Sequence, residues 1–160
     1  MWLSDGTPLD GIYGVWSGRV VELQRRTPYL GKLTIIQDGG EPPSPEWSTL
    51  EFPNRFGRTP FRHYLHVPES EVSDLHEIAA TGYVPLTDST GHDIQARVNI
   101  IAQDAEGRLA VETMPREPRH HWDALVREYD FEEYDRSWVF GWVPAHALTD
   151  FKSERVELAA

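Results

Sequence analysis

Twelve prolines and twelve glycines are scattered along the whole chain and cut it into short pieces. Proline removes a backbone donor and glycine favours turns, so this punctuation works against long helices and leaves short strands joined by turns. "GIYGVWSGRVVEL" reads as strand structure around the turn signal Ser17-Gly18, and "GKLTIIQDGG" as a β-rich run closed by Asp38-Gly39-Gly40. "DIQARVNIIAQ" alternates Ile94, Ala96, Val98 and Ile100 as a half-buried strand should, and "DAEGRLAVETM" returns as the second arm of a hairpin. "FRHYLHV" and "GYVPL" complete the strand set. The segment "EPPSPEWSTLEFPNRFGRTP" holds five of the prolines and reads as a long irregular connection with a short strand at Trp47 to Phe52.

Two stretches carry helical spacing. "PESEVSDLHEIAA" places Pro68 in a first turn, Glu69 and Glu71 at the positive end, and Val72, Leu75 and Ala79 on one face. "HHWDALVREY" puts Trp122, Leu125, Val126 and Tyr129 on another. The expected fold is therefore α+β: a mostly antiparallel, twisted sheet with two to three short helices, in a single domain over residues 1–160. An internal echo runs through it. "HVPESEVSDLHE" and "WVPAHALTDFKS", 76 residues apart, share Val-Pro, an aliphatic residue, then Ser or Thr before Asp, which predicts a strand–Val-Pro–helix unit at 62–79 and again at 138–155.

Charge bounds the partners. Twenty-six acids against fifteen bases leave a formal charge of -11, and the largest basic cluster is the pair Arg25-Arg26. Nucleic acid binding draws on clustered cations that displace condensed counterions, so DNA or RNA is not an expected ligand. A negative field speeds encounter with a basic protein and also simply keeps a protein soluble. Absence of cysteine removes disulfides, thiolate metal sites and a Cys nucleophile. No signal peptide or bilayer-length apolar run is seen, and the expectation is a soluble cytoplasmic protein with no membrane partner.

Sequence motifs of the self-announcing enzyme classes are missing: no phosphate-binding glycine loop, dinucleotide fingerprint, Gly-x-Ser-x-Gly elbow or His-Glu-x-x-His pair. His63 and His66 are three apart on a predicted strand, and His120 adjoins His121; both spacings point side chains apart, so no metal or other cofactor is expected. Paired carboxylates abound without a pattern that sets two across a cleft. Arg19, Ser48-Thr49 and Glu69-Ser70-Glu71 occur in the order of an ADP-ribosyltransferase, which they resemble at shorter spacings, so Arg19, Ser48 and Glu71 form the alternative catalytic set of a small enzyme. Glu69 and Glu71 are equally explained as charges at a helix N-terminus.

The densest feature is "EYDFEEYDRSWVFGW", where Glu128, Asp130, Glu132, Glu133 and Asp135 stand among aromatic rings before an acid-free, Trp-rich strand. Acids at the end of a helix oppose its dipole, so solvation or a partner is the better reason for them. Tyr129, Phe131 and Tyr134 are candidate anchors there, and Trp47 in the proline-rich connection is a candidate exposed one. Trp16, Trp122, Trp138 and Trp142 read as core.

Residues 63–158 resemble small bacterial immunity proteins encoded beside secreted polymorphic toxins, including those that neutralise NAD-consuming toxins. The likeness lies in "HYLHVPESEVSDLHEIAATGYV", the hairpin "AQDAEGRLAVE" and the closing "WVFGWVPAHALTDFKSERVEL". It implies a non-catalytic cytoplasmic protein that covers the active site of one cognate, basic toxin. The contact surface would be Trp47 with Tyr129, Asp130, Phe131, Glu132, Glu133, Tyr134 and Asp135. Beside the small enzyme, an accessory component of a phage or secretion assembly is the other alternative.

Overall fold

The computed structural model describes residues 1–51, 61–114, 116–134 and 138–158. Their contacts divide the chain into two compact units. The first holds Gly11–Ile78 with Met1 and the residues from Arg155 on; the second holds Trp2–Asp10 and Ala79–Glu154. Both are mostly antiparallel sheet, as the punctuation predicts.

In the first unit lie β1 (Gly11–Trp16), β2 (Arg19–Leu23), β3 (Lys32–Asp38), β4 (Ser48–Glu51), β5 (Phe61–Pro68) and the opening residues of β6 (Val72–Thr87). Neighbouring strands run in the order β4-β5-β3-β2-β1-β6. Val21 and Leu23 on β2, and Leu33 and Ile35 on β3, alternate onto one face, where they meet Val67 and Trp47. Two turns of two residues shape these hairpins. Ser17 and Gly18 join β1 to β2 with φ of 53° and 77°, and Leu30 and Gly31 precede β3 with φ of 53° and 74°. Positive φ at both central positions matches the twist of the flanking strands, which is why such turns favour Asn, Asp and Gly. Leucine there costs about 1–2 kcal/mol, because its Cβ crowds the following carbonyl oxygen.

To the second unit belong Ala79–Thr87 of β6, β7 (Asp93–Gln103), β8 (Leu109–Thr113), α1 (Arg119–Glu128), β9 (Asp130–Tyr134), β10 (Trp138–Val143) and most of β11 (Thr149–Glu157). The order is β6-β7-β8-β10-β9, and β11 pairs with β6. Ala96, Val98, Ile100 and Ala102 are buried along β7 as their alternation predicts, and α1 buries Trp122, Ala124 and Leu125 against β7, β9 and β10. Segment Trp2–Asp10 is tied in through Asp10, whose N–H donates to Ile100 O (3.0 Å) and whose Oδ1 accepts the Ala80 N–H (3.1 Å).

The two units repeat one plan. Leu33 faces Val67 in the first and Leu109 faces Val143 in the second, each residue of the later pair 76 positions after its counterpart. Each Val is followed by a proline with φ near -60°, three residues of 3-10 helix (Glu69–Glu71, Ala145–Ala147), an aliphatic residue, a Ser or Thr, and then an Asp at φ 53° (Asp74, Asp150). The aliphatic residue packs where a glycine leaves room: a Cβ on Gly14 would stand 2.7 Å from Val72 Cγ1, and one on Gly82 2.8 Å from Leu148 Cδ1.

That plan corrects the helix expectation. Among the described residues there is one α-helix, α1, and after each Val-Pro comes a single 3-10 turn leading into a strand. "PESEVSDLHEIAA" is that turn and the start of β6. The helical run ends at Glu71, with Val72 already extended, and burial of every second residue from His76 through Ile78, Ala80, Gly82 and Val84 to Leu86 is the period of a strand. A histidine and a glycine in the inward row hid that period.

Two hairpin loops in the second unit share one design. Asp88 Oδ1 accepts the N–H groups of Thr90 and His92, and Asp104 Oδ1 those of Glu106 and Arg108, with Gly91 and Gly107 at φ 85°. Thr90 Oγ1 donates to Asp88 as well (2.6 Å). That hydroxyl bond first, then the His92 N–H, brings the Asp88 carboxyl down to about 2, against a small opposing push from burial. At Asp104 burial is the largest single influence and pushes upward, but the Arg108 N–H and guanidinium outweigh it and the net direction is down.

A depressed carboxyl stabilises the fold above its unfolded value of 3.8, and that contribution is lost as pH falls toward about 2. Asp88→Asn is therefore expected to melt below the wild type at pH 5, with the gap closing by pH 2. Melting curves across that range check it, and a pH-independent gap would refute the carboxylate's part. Exposure of the loop keeps the effect small.

Candidate functional site

Beyond the helix end, the acidic stretch is a strand. α1 ends at Glu128, Tyr129 caps it with its N–H on Leu125 O (3.0 Å), and β9 then pairs antiparallel with β10, setting Asp130 opposite Trp142 and Glu132 opposite Phe140. The pairing exists because Gly141 faces Phe131 and has no Cβ to fill the gap. Only Glu128 remains at the negative end of the helix, and Arg127 stands beside it, so the dipole penalty is small.

Alternation on β9 sorts its side chains. Phe131 is 7% exposed and belongs to the core. Glu133 shares its face and is engaged by Arg119, at 2.9 Å, which also reaches Asp123 at 3.6 Å. Asp130 and Glu132 are exposed and make no ion pair with any described residue. The Tyr134 side chain and Asp135 lie outside the described residues.

Beside this strand Tyr129 and Glu128 line an open depression of about 270 Å³ with Pro85, Leu86 and Thr87 from β6 and Asp93 from β7. Arg127 is held at its margin by a bond to Thr87 O (2.7 Å). The depression is lined by more polar than apolar surface and carries two carboxylates, features that receive a cationic side chain. Sequence reasoning found Glu128 and Tyr129 and missed Pro85, Leu86 and Asp93, which lie more than thirty residues away and arrive through the β6–β7 hairpin.

The remaining candidates fall elsewhere. Trp47 is 8% exposed inside the core of the first unit, so it is no exposed anchor; the chain returns at Ser48 into β4 and turns the ring inward. Arg19 and Glu71 both meet Trp16, the guanidinium 5.7 Å from the ring centroid and the carboxylate accepting the indole N–H at 3.2 Å. Ser48 sits opposite Tyr64 on β4, which β5, β3 and β2 separate from β1 in the strand order. Trp16 therefore accounts for the Arg19–Glu71 pair as a surface ladder.

His63 is 2% exposed with both ring nitrogens bonded, Nδ1 to Thr49 Oγ1 and Nε2 to Gly40 O, each at 2.8 Å. His66 is exposed and bonds Thr34 Oγ1. The two histidines face opposite sides of β5, as their spacing requires. No helix among the described residues is long and apolar enough to cross a membrane.

No protein family, curated protein or solved structure matches this chain.

Proposed function

We propose that the protein is a cytoplasmic, immunity-like binding protein that inhibits a cognate toxin enzyme by occluding its active site. The observation that carries this reading is the pair of exposed carboxylates Asp130 and Glu132, which make no ion pair with any described residue, next to the depression lined by Glu128 and Asp93. Carboxylates left without internal cations are available to a partner's Lys and Arg, and a net charge of -11 steers such a partner inward. Tyr129 adds a ring able to bury area at little entropic cost.

Affinity capture from the source cells' lysate and secreted fraction, followed by titration of the retained protein's activity, tests it. A single basic enzyme inhibited at one equivalent supports the reading. A retained protein whose activity is untouched at saturation refutes it.

A further inference from the structure

The hairpin tip between β2 and β3 presents the two most exposed large apolar side chains among the described residues, Leu30 at 84% and Tyr29 at 66%. Every residue from Gln24 to Lys32 is exposed, so no part of the tip is packed into the core of the first unit. Its backbone is nevertheless held in shape. Tyr29 and Lys32 exchange both backbone hydrogen bonds (2.9 and 3.1 Å), and Gly31 O accepts the Glu69 N–H (2.9 Å).

The turn at Ser17-Gly18 has the same φ of 53° at its first position, and there a small polar residue fills it. Leu30 holds an apolar side chain in that left-handed conformation and gains no burial in return. Within the isolated chain this choice costs both backbone strain and exposed apolar surface. A surface outside the chain that buries Leu30 would offset both.

Size, shape and charge indicate which surface. Two side chains on a convex point fall far short of the roughly 1,000 Å² that a specific protein interface buries. A lipid surface needs no matching cavity, because headgroups part around a small apolar wedge. The collar of the tip is cationic. The Arg25 guanidinium lies 5.8 Å from the Tyr29 ring centroid, Lys32 is the backbone partner of Tyr29, and neither cation makes an ion pair with any described residue. Arg26 is engaged by Glu77 at 3.0 Å, and Glu69, held to Gly31 through its N–H, is one acid against the two cations. Leucine at the apex, tyrosine beside it and cations at the base follow the order of acyl chains, headgroup level and phosphates. The net charge of -11 is screened beyond about 8 Å at physiological ionic strength, so the charges of the tip itself govern the contact.

We infer that the Tyr29-Leu30 tip docks on an anionic phospholipid surface, with Leu30 inserted among the acyl chains, the Tyr29 ring at headgroup level, and Arg25 and Lys32 against the phosphates. Such a contact is peripheral and reversible, and it needs no membrane-spanning helix. It rests on the tip alone and stands apart from the toxin reading.

Co-sedimentation of the full chain with vesicles of phosphatidylcholine mixed with phosphatidylserine, and with vesicles of phosphatidylcholine alone, tests it. Binding to the mixed vesicles is expected, reduced roughly tenfold by Leu30→Asp, by the double change Arg25→Glu with Lys32→Glu, and by omission of phosphatidylserine. Leu30→Gly separates docking from folding: it removes the anchor and the backbone strain together, so vesicle binding should fall while the melting temperature rises. A chain that stays in solution with the mixed vesicles, or binding indifferent to Leu30→Asp or to phosphatidylserine, overturns the inference. Leu30-dependent self-association in sedimentation equilibrium, with no vesicle binding, would assign the tip to a second copy and overturn it equally.

Discussion

Gly141→Ala is expected to destabilise the second unit by about 3 kcal/mol, near the upper end of overpacking costs in well-packed interiors. A methyl group there would collide with the Asp130 carbonyl oxygen and stand 2.8 Å from Phe131 Cα and Cδ1. Two of those atoms are backbone, so relief requires β9 to leave β10 and Phe131 to leave the core. Gly82→Ala is the instructive comparison. The three atoms nearest its new methyl all belong to the Leu148 side chain, which can turn aside, so a cost of about 1 kcal/mol is expected. Urea unfolding of both variants measures the difference. Equal midpoints for Gly141→Ala and the wild type would show that β9 is not held as described, and would remove the geometric basis of the acidic edge.

Asp130→Lys combined with Glu132→Lys is expected to lower the association rate with a basic partner roughly tenfold at low salt, leaving dissociation little changed. These two carboxylates on β9 make no ion pair with any described residue. The effect should fade as salt rises and the Debye length contracts to about 3 Å near 1 M. Glu133→Lys is expected to act differently, because it breaks the bond to Arg119 and repels it. Its signature is lower stability and a smaller change in rate. Stopped-flow association at several ionic strengths separates the two cases, and an Asp130/Glu132 variant with an unaltered low-salt rate would remove this edge from the proposed contact.

Strands were the legible part of the fold wherever neighbours along the chain carry the information. β7 announces itself because Ala96, Val98 and Ile100 are all apolar and in alternation, and α1 because Trp122 and Leu125 recur at helical spacing. The start of β6 was misread because Val72, Leu75 and Ala79 also fit a helix. What decides against it is the seat of the Val72 side chain over Gly14, which comes from β1, far away in the chain. Trp47 was misjudged for a similar reason: a proline-rich setting says nothing about the core of Val21, Leu33 and Val67 that receives the ring.

The acidic edge divides along the same line. Composition and the run from Glu128 to Glu133 located the carboxylates, since charge is a property of the residues themselves. Which of them are free was decided by the fold alone, as Arg119 reaches β9 only when α1 packs against it, and Asp93 joins Glu128 only through the β6–β7 hairpin. From sequence alone came the sheet-rich class, the negative charge, the turn at Ser17-Gly18 and the echo of Val-Pro segments 76 residues apart. Only tertiary structure turned that echo into two units on one plan, buried Trp47 and exposed Leu30. Local backbone preference acts over a few residues and is written in them, whereas burial and pairing depend on what the rest of the chain brings to the same place.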